Sequence, residues 1–162
     1  MASDDAGLQH AVAVRRGNAR DHAFVLDLGR RAAASSISSL RPAGVESVEI
    51  AFERLMYFVF GREHDILIAH EGTEPLGFLL LLRDVPDEVT NAEQAFVAYM
   101  AVEPAAQRRG IGRALLAGAE AIARAVGLPH IVLMVTEDNT AARALYASMG
   151  FGTERRMLAK PL

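Results

Sequence analysis

The sequence contains no cysteine. That excludes disulfides, thiolate metal sites and a cysteine nucleophile, and it fits a reducing compartment, so a cytoplasmic location is expected. It also lacks any apolar run near the ~20 residues that a membrane helix needs. Its longest candidates, Leu79 to Leu82 and Ile131 to Val135, are strand-sized. Positive charge is not in excess. The net charge is −3, and the arginine pairs (15-16, 30-31, 108-109, 155-156) are scattered, so neither a nucleic acid nor an anionic membrane is an expected partner. The first residues, Met1-Ala2-Ser3-Asp4-Asp5, lack the basic and apolar regions of a secretory signal. The five histidines, at 10, 22, 64, 70 and 130, show no ligand spacing, so no metal is expected. What is present is 162 residues with 51% hydrophobic and 23% charged content. That is enough chain for one globular domain with its own core. Residues 1 to 10 read as a tail and 11 to 162 as the domain.

Ala11 to Arg15 reads as a first strand. Asn18 and Asp21 offer N-caps for a helix over about 19 to 39. Arg41-Pro42-Ala43-Gly44 breaks it, and Val48, Phe52, Leu55, Met56 and Val59 set a second helix over Val45 to Phe60, with Gly61 at its C-cap. Ile66 to Ala69 and Leu76 to Arg83 form an antiparallel hairpin about the turn Glu71 to Pro75. Asp84 to Gln94 is loop, and Ala95 to Val102 is strand, ended by Glu103-Pro104. Ile111, Leu115, Ala119, Ile122 and Val126 mark a helix over Gly110 to Val126, closed by Gly127. Ile131 to Val135 reads as a strand covered on both faces. Asp138-Asn139-Thr140 caps a helix to Met149, Gly150 ends it, and Phe151 to Leu158 reads as a last strand. The order implies mixed α/β structure with a partly antiparallel sheet.

The segment Tyr99 to Gly112 carries the chemistry. A strand ends there, and a helix opens on Gly110 and Gly112. A helix N-terminus leaves several amides without partners, and its dipole adds about half a positive charge. The amides of Arg108 to Gly112 therefore form a cup suited to phosphate. The two glycines let backbone approach the ligand, and Arg108, Arg109 and Arg113 add charge at the rim. No G-K-[ST] follows, which removes the Walker reading. Leu115 stands where the third glycine of a dinucleotide fingerprint would be. The turn by itself fits helix capping as well as phosphate binding.

Gln107-Arg108-Arg109-Gly110-Ile111-Gly112 resembles the Q/R-x-x-G-x-G/A motif of the GNAT superfamily of N-acetyltransferases. Asn139-Thr140-Ala141-Ala142-Arg143-Ala144-Leu145-Tyr146, followed by Gly150-Phe151, resembles that family's N-x-x-A-x-x-L-Y…G-F segment. The resemblance implies a GNAT-like, largely antiparallel sheet, split in a V between the fourth and fifth strands and flanked by about four helices. It implies acetyl-CoA as cosubstrate and direct transfer of its acetyl group to a primary amine of a small molecule or peptide. On that reading the amides from Arg108 to Arg113 (Arg108, Arg109, Gly110, Ile111, Gly112 and Arg113) hold the pyrophosphate, and Gln107 joins them in the cofactor-binding set. The edge of the strand Tyr99 to Val102 pairs with the pantetheine arm, and an N–H among Met100, Ala101 and Val102 polarises the thioester carbonyl. Tyr146 would protonate the departing thiolate, since a phenol near pKa 10 can donate to one near 8.5. Asn139 either caps its helix or also bonds near the pantetheine arm.

The resemblance departs at the general base. Phe96 and Met134 stand where relatives can carry glutamate, which disfavours histone-type or ribosomal N-terminal acceptors. Glu93, Glu103, Glu137, His130 or a held water remain as candidates. The loop Asp84 to Glu93 carries four acids and no base beside the expected acceptor pocket, which would steer a cationic amine. An alternative is a noncatalytic acyl-CoA-binding or sensing domain, which keeps the cup and discards the chemistry. Relatives that dimerise do so through C-terminal strands, and Phe151 to Leu158 could serve a homodimer in that way.

Overall fold

Strands β2 (His64–Glu71), β3 (Glu74–Leu82) and β4 (Ala95–Val102) carry the longest apolar runs and form the middle of a five-stranded sheet. Its order is β1-β2-β3-β4-β5, with β1 (Ala13–Arg16) and β5 (Ile131–Leu133) at the edges. A computed structural model describes residues 11–162; the tail expected over 1–10 lies outside them. All neighbouring strands are antiparallel except β4 and β5, which are parallel.

Period-two alternation divides the side chains between two layers. Leu67, Leu79, Leu81 and Val97 pack beneath helix α3 (Ile111–Ala125) through Ile111, Leu115, Leu116 and Ala119. Ile66, Ile68, Phe78, Leu80 and Leu82 pack on the other face. There they meet Val25 and Leu28 of α1 (His22–Ala32), and Phe52, Met56 and Val59 of α2 (Val45–Phe60). Leu79 to Leu82 are each 0% exposed, because this central strand is covered on both faces. A fourth helix, α4 (Thr140–Ser148), lies on the α3 side, with Leu145 and Tyr146 against that core.

The architecture is the mixed, largely antiparallel fold expected, and the differences are local. The first helix is shorter than 19 to 39. It comprises a 3₁₀ turn at Ala19–Asp21, α1, and a second 3₁₀ turn at Ala33–Ser36. Ser35 Oγ bonds back to the Ala32 carbonyl at 2.8 Å, a serine competing with the helix ladder. Gly61 occupies the C-cap of α2 in right-handed conformation. β5 is shorter than Ile131 to Val135 and only half-buried, with Met134 82% exposed. As an edge strand it has one neighbour, and that neighbour turns away. The strand expected over Phe151 to Leu158 is absent. Thr153-Glu154-Arg155-Arg156 gives it no apolar face to bury, and Gly152 to Leu162 is exposed. Arg155 pairs instead with Asp87 at 2.7 Å.

One irregularity positions the site. Leu80 faces Tyr99 while Leu81 faces Val97, so β4 holds a bulge at Ala98. Ala98 and Tyr99 consequently both pack toward α1 and α2, whereas Val97 and Met100 face α3. Pairing with β5 runs Ala95↔Ile131, Phe96↔Val132, Val97↔Leu133 and stops there. Beyond the bulge the two strands part in a V, and the β5-facing edge of Ala98–Val102 has no strand partner among the described residues.

Candidate functional site

The turn from β4 into α3 stands at the open end of this V. Glu103 N–H donates to the Leu76 carbonyl at 2.8 Å, which holds the end of β4 to the sheet. A 3₁₀ turn, Pro104–Ala106, follows, and then Gln107 to Gly110, all exposed. Arg108 and Gly110 both take left-handed backbone, at φ +67° and +80°. Gly110 is the N-cap of α3, with no side chain to satisfy the first amides, so those donors remain available to a ligand. A Cβ placed on Gly110 would meet nothing within 4 Å, so the space before the turn is open. Such a cradle fits an anionic diphosphate.

Gly112 has a different need. A Cβ there would lie 2.9 Å from Leu145 Cδ2, so its smallness seats α4 against α3. Ile111 is 1% exposed and anchors the turn in the core, leaving only its amide for a ligand. Arg109 pairs with Glu71 of the β2–β3 turn at 2.9 Å, and Arg113 donates to Ser148 Oγ of α4 at 2.6 Å. These two arginines tie the cup to its neighbours, while Arg108 is exposed at the rim.

Met100, Ala101 and Val102 lie on β4 past the bulge, opposite Leu79, Phe78 and Gly77. Tyr146 projects from α4 into the same layer as Met100 and Val102, with its ring 5.8 Å from that of Phe151. Burial raises its phenol pKa, which keeps the proton in place at neutral pH. Asn139 is the N-cap of α4, its side chain accepting from the Ala142 amide at 3.2 Å.

The carboxylates named from sequence are largely engaged. Glu103 takes a two-pronged bond from Arg31 of α1 at 2.7 and 3.1 Å, and Glu137 pairs with Arg143 at 3.2 Å. In the acidic loop, Asp84 pairs with Arg62, and Asp87 and Glu88 pair with Arg155. Asp87 also accepts from the Thr90 amide and hydroxyl, which, with Arg155, hold its carboxyl well below the usual range. Three of the loop's four acids are therefore neutralised locally. Phe96 is half-buried on the α1–α2 side and Met134 is exposed.

Sequence reasoning gave Tyr99 a backbone place on the strand edge and no role for its side chain. Its hydroxyl donates to the Gly29 carbonyl of α1 at 3.0 Å, and its ring stacks on Phe78 at 6.0 Å. Burial pushes its pKa up to about 12. An aromatic residue on a strand signals core, and only the bulge shows that Tyr99 stands beside the V. A cavity of about 230 Å³ opens between α1 and the cup, lined by Leu28, Arg31, Ser35, Val102 and Gln107. A larger one of about 410 Å³ lies at the opposite end of the sheet, by His22, His64 and Asp65. Asp65 is bracketed there by Arg16 and Arg83, and the cavity is remote from the V, so the smaller one belongs to the site.

The sequence profile of the acetyltransferase (GNAT) family matches residues 35–151. A mycothiol acetyltransferase of Amycolatopsis mediterranei is 38% identical over 66% of this chain, and the match covers 35% of that protein. The chain spans about a third or less of the length of the curated relatives first matched. A Pyrococcus furiosus structure named as an acetyl transferase superposes with TM-score 0.79 at 27% identity, covering 94% of this chain and 100% of that one. An aminoglycoside N-acetyltransferase solved with CoA shares the fold, with TM-score 0.66 at 15% identity over 94% and 95% of the two chains. With a bulged fourth strand, a split sheet and a left-handed turn opening α3, the chain belongs to the GNAT family of acetyltransferases.

Proposed function

We propose that this chain is an acetyl-CoA-dependent N-acetyltransferase acting on a primary amine of a small molecule or peptide, by direct transfer. The observation that carries the reading is the placement of the Arg108–Gly110 turn at the mouth of the V, where β4 has an unpaired edge. Acetyl-CoA, when bound, supplies an activated acetyl thioester.

The amides from Arg108 to Arg113 hold the diphosphate, with the Arg108 side chain at the rim; the Gln107 amide is held by the Pro104 carbonyl at 3.3 Å. The free edge of Met100, Ala101 and Val102 pairs with the amides of the pantetheine arm, as an added strand would. An N–H of that edge would donate to the thioester carbonyl oxygen and stabilise the charge that develops on it. As the amine nitrogen bonds to the acetyl carbon and the carbon–sulfur bond breaks, Tyr146 gives its proton to the sulfur. The amine proton leaves to water, and solvent restores the phenol. Asn139 holds the N-terminus of α4 and so the line of approach of Tyr146.

Relatives matched over part of their length are named mycothiol acetyltransferases, so amines of the mycothiol class head the panel of acceptors. Small cationic amines come next; the local pairing of the acidic loop limits how strongly it can steer them. Calorimetry with CoA and thiol release from acetyl-CoA across the panel test the reading. Absence of binding would end it. A second reading, an acyl-CoA sensor, draws on the apolar Phe96 and Met134; it predicts binding with no thiol release for any amine.

A further inference from the structure

The segment between α1 and α2 crosses from one arm of the V to the other and is fastened at both ends. At its start, Arg31 holds Glu103, the residue directly after β4. Further on, the Ser36 carbonyl accepts from Thr136 Oγ1 at 2.7 Å. The Ser39 amide donates to Asp138 Oδ2 at 2.8 Å. Thr136 and Asp138 belong to the turn between β5 and α4. Between these fastenings, Ser35 and Ala32 form one wall of the 230 Å³ cavity whose other wall is Val102, Pro104 and Gln107. The segment has little hold of its own: Ser38 to Gly44 lacks helix and strand, and Ser35 to Leu40 is exposed or half-buried.

We infer that Asp138 and Thr136 are positioning residues that hold residues 32–39 as a closed strap along the acceptor's side of the V. The inference rests on the acetyl-transfer reading and deepens it. A strap fastened to both arms fixes the width between the strand that carries the cofactor and the turn that leads to Tyr146. It also limits the acceptor to what fits between Ser35 and Val102. The cavity has room for about seven waters at ~30 Å³ each, the scale of a small amine or a single extended side chain. Freeing the β5 end lets the segment open locally without disturbing the sheet, since neither bond is part of a ladder.

The test is a set of three variants followed by amide hydrogen exchange and by kinetics. Asp138→Ala removes the acceptor for the Ser39 amide, Asp138→Asn keeps an oxygen there without charge, and Thr136→Val removes the bond to Ser36. In Asp138→Ala, amides of residues 36–39 should exchange at least about tenfold faster, and the KM for the amine should rise about fivefold or more. CoA affinity and kcat should stay within about twofold. Asp138→Asn should restore both readouts, and Thr136→Val should follow Asp138→Ala. The inference is overturned if exchange is unchanged in Asp138→Ala, if CoA affinity falls in step with the amine KM, or if Asp138→Asn fails to rescue. Should the wild-type chain bind no CoA, the acetyl-transfer reading fails on its own, and the exchange data still decide whether the strap is held.

Discussion

Arg108 and Gly110 hold left-handed backbone on either side of Arg109, on the turn that opens α3. For a residue with a side chain this conformation costs about 1–2 kcal/mol, and such strain is kept where the surroundings over-determine it. The sequence signals only the glycine. Arg108→Gly should leave stability unchanged or slightly higher and weaken CoA binding through loss of the rim guanidinium. Gly110→Ala should cost about 1–2 kcal/mol, because no clash but the backbone itself resists it. Chemical denaturation and calorimetry with CoA separate the two effects.

Tyr146→Phe removes the proton donor and keeps the ring against Phe151. We expect kcat to fall by roughly 10²- to 10⁴-fold, the usual worth of a positioned acid. CoA affinity should stay within about threefold. Equal kcat in the variant would transfer the proton to water and leave Tyr146 a packing residue.

Burial raises the phenols of Tyr146 and Tyr99, so both are neutral well past physiological pH. The acid form of Tyr146 therefore persists, and its loss should not limit the rate until above about pH 10. A phenol with a raised pKa contributes stability that is complete below about pH 10 and is lost as pH rises through the folded value. For Tyr99 that loss should centre toward about 12. Rate from pH 7 to 11 and melting temperature from pH 7 to about 12 check the two statements.

At the acid end the sign reverses. The Arg15 guanidinium and the Asn18 amide hold the Asp21 carboxyl below the usual carboxylate range; Thr90, with Arg155, does so for Asp87. The Ser39 amide does the same for Asp138. Depressed carboxyls contribute stability that is present above about pH 4 and is lost as pH falls through their folded values. Melting temperature should be flat from pH 5 to 7 and drop below 4. Asp21→Asn should flatten that drop, with a lower value at neutral pH.

Gly112→Ala tests packing instead of binding. The added methyl meets the tip of Leu145, a flexible end that can yield, so the loss should be modest, about 1 kcal/mol. Its kinetic effect should appear in kcat, since α4 carries Tyr146. Thermal denaturation with steady-state kinetics reads both.

The elements legible in the sequence are those written in local spacing. The apolar runs at Ile66 to Ala69, Leu76 to Arg83 and Ala95 to Val102 mark strands, and Ile111, Leu115 and Ala119 mark a helix; that this helix covers the face of Leu67, Leu79, Leu81 and Val97 is visible only in the fold. Gly110 and Gly127 marked left-handed ends at φ +80° and +77°. What local spacing cannot carry is polar pairing across the chain: Ser39 and Asp138 stand 99 positions apart, and nothing periodic links them. Phe151 to Leu158 was misread for the converse reason. Its apolar ends, Phe151, Met157 and Leu158, suggest a strand, but the four polar residues between them leave it no buried face. Gly112 was assigned to the ligand because it belongs to the motif, and its steric contact shows a debt to Leu145 as well.

β5 joins its neighbour through only three registered pairs and borders no other strand. One flank of the cleft is consequently the least cross-linked part of the sheet. Its backbone amides should therefore exchange with solvent sooner than those of the central strands.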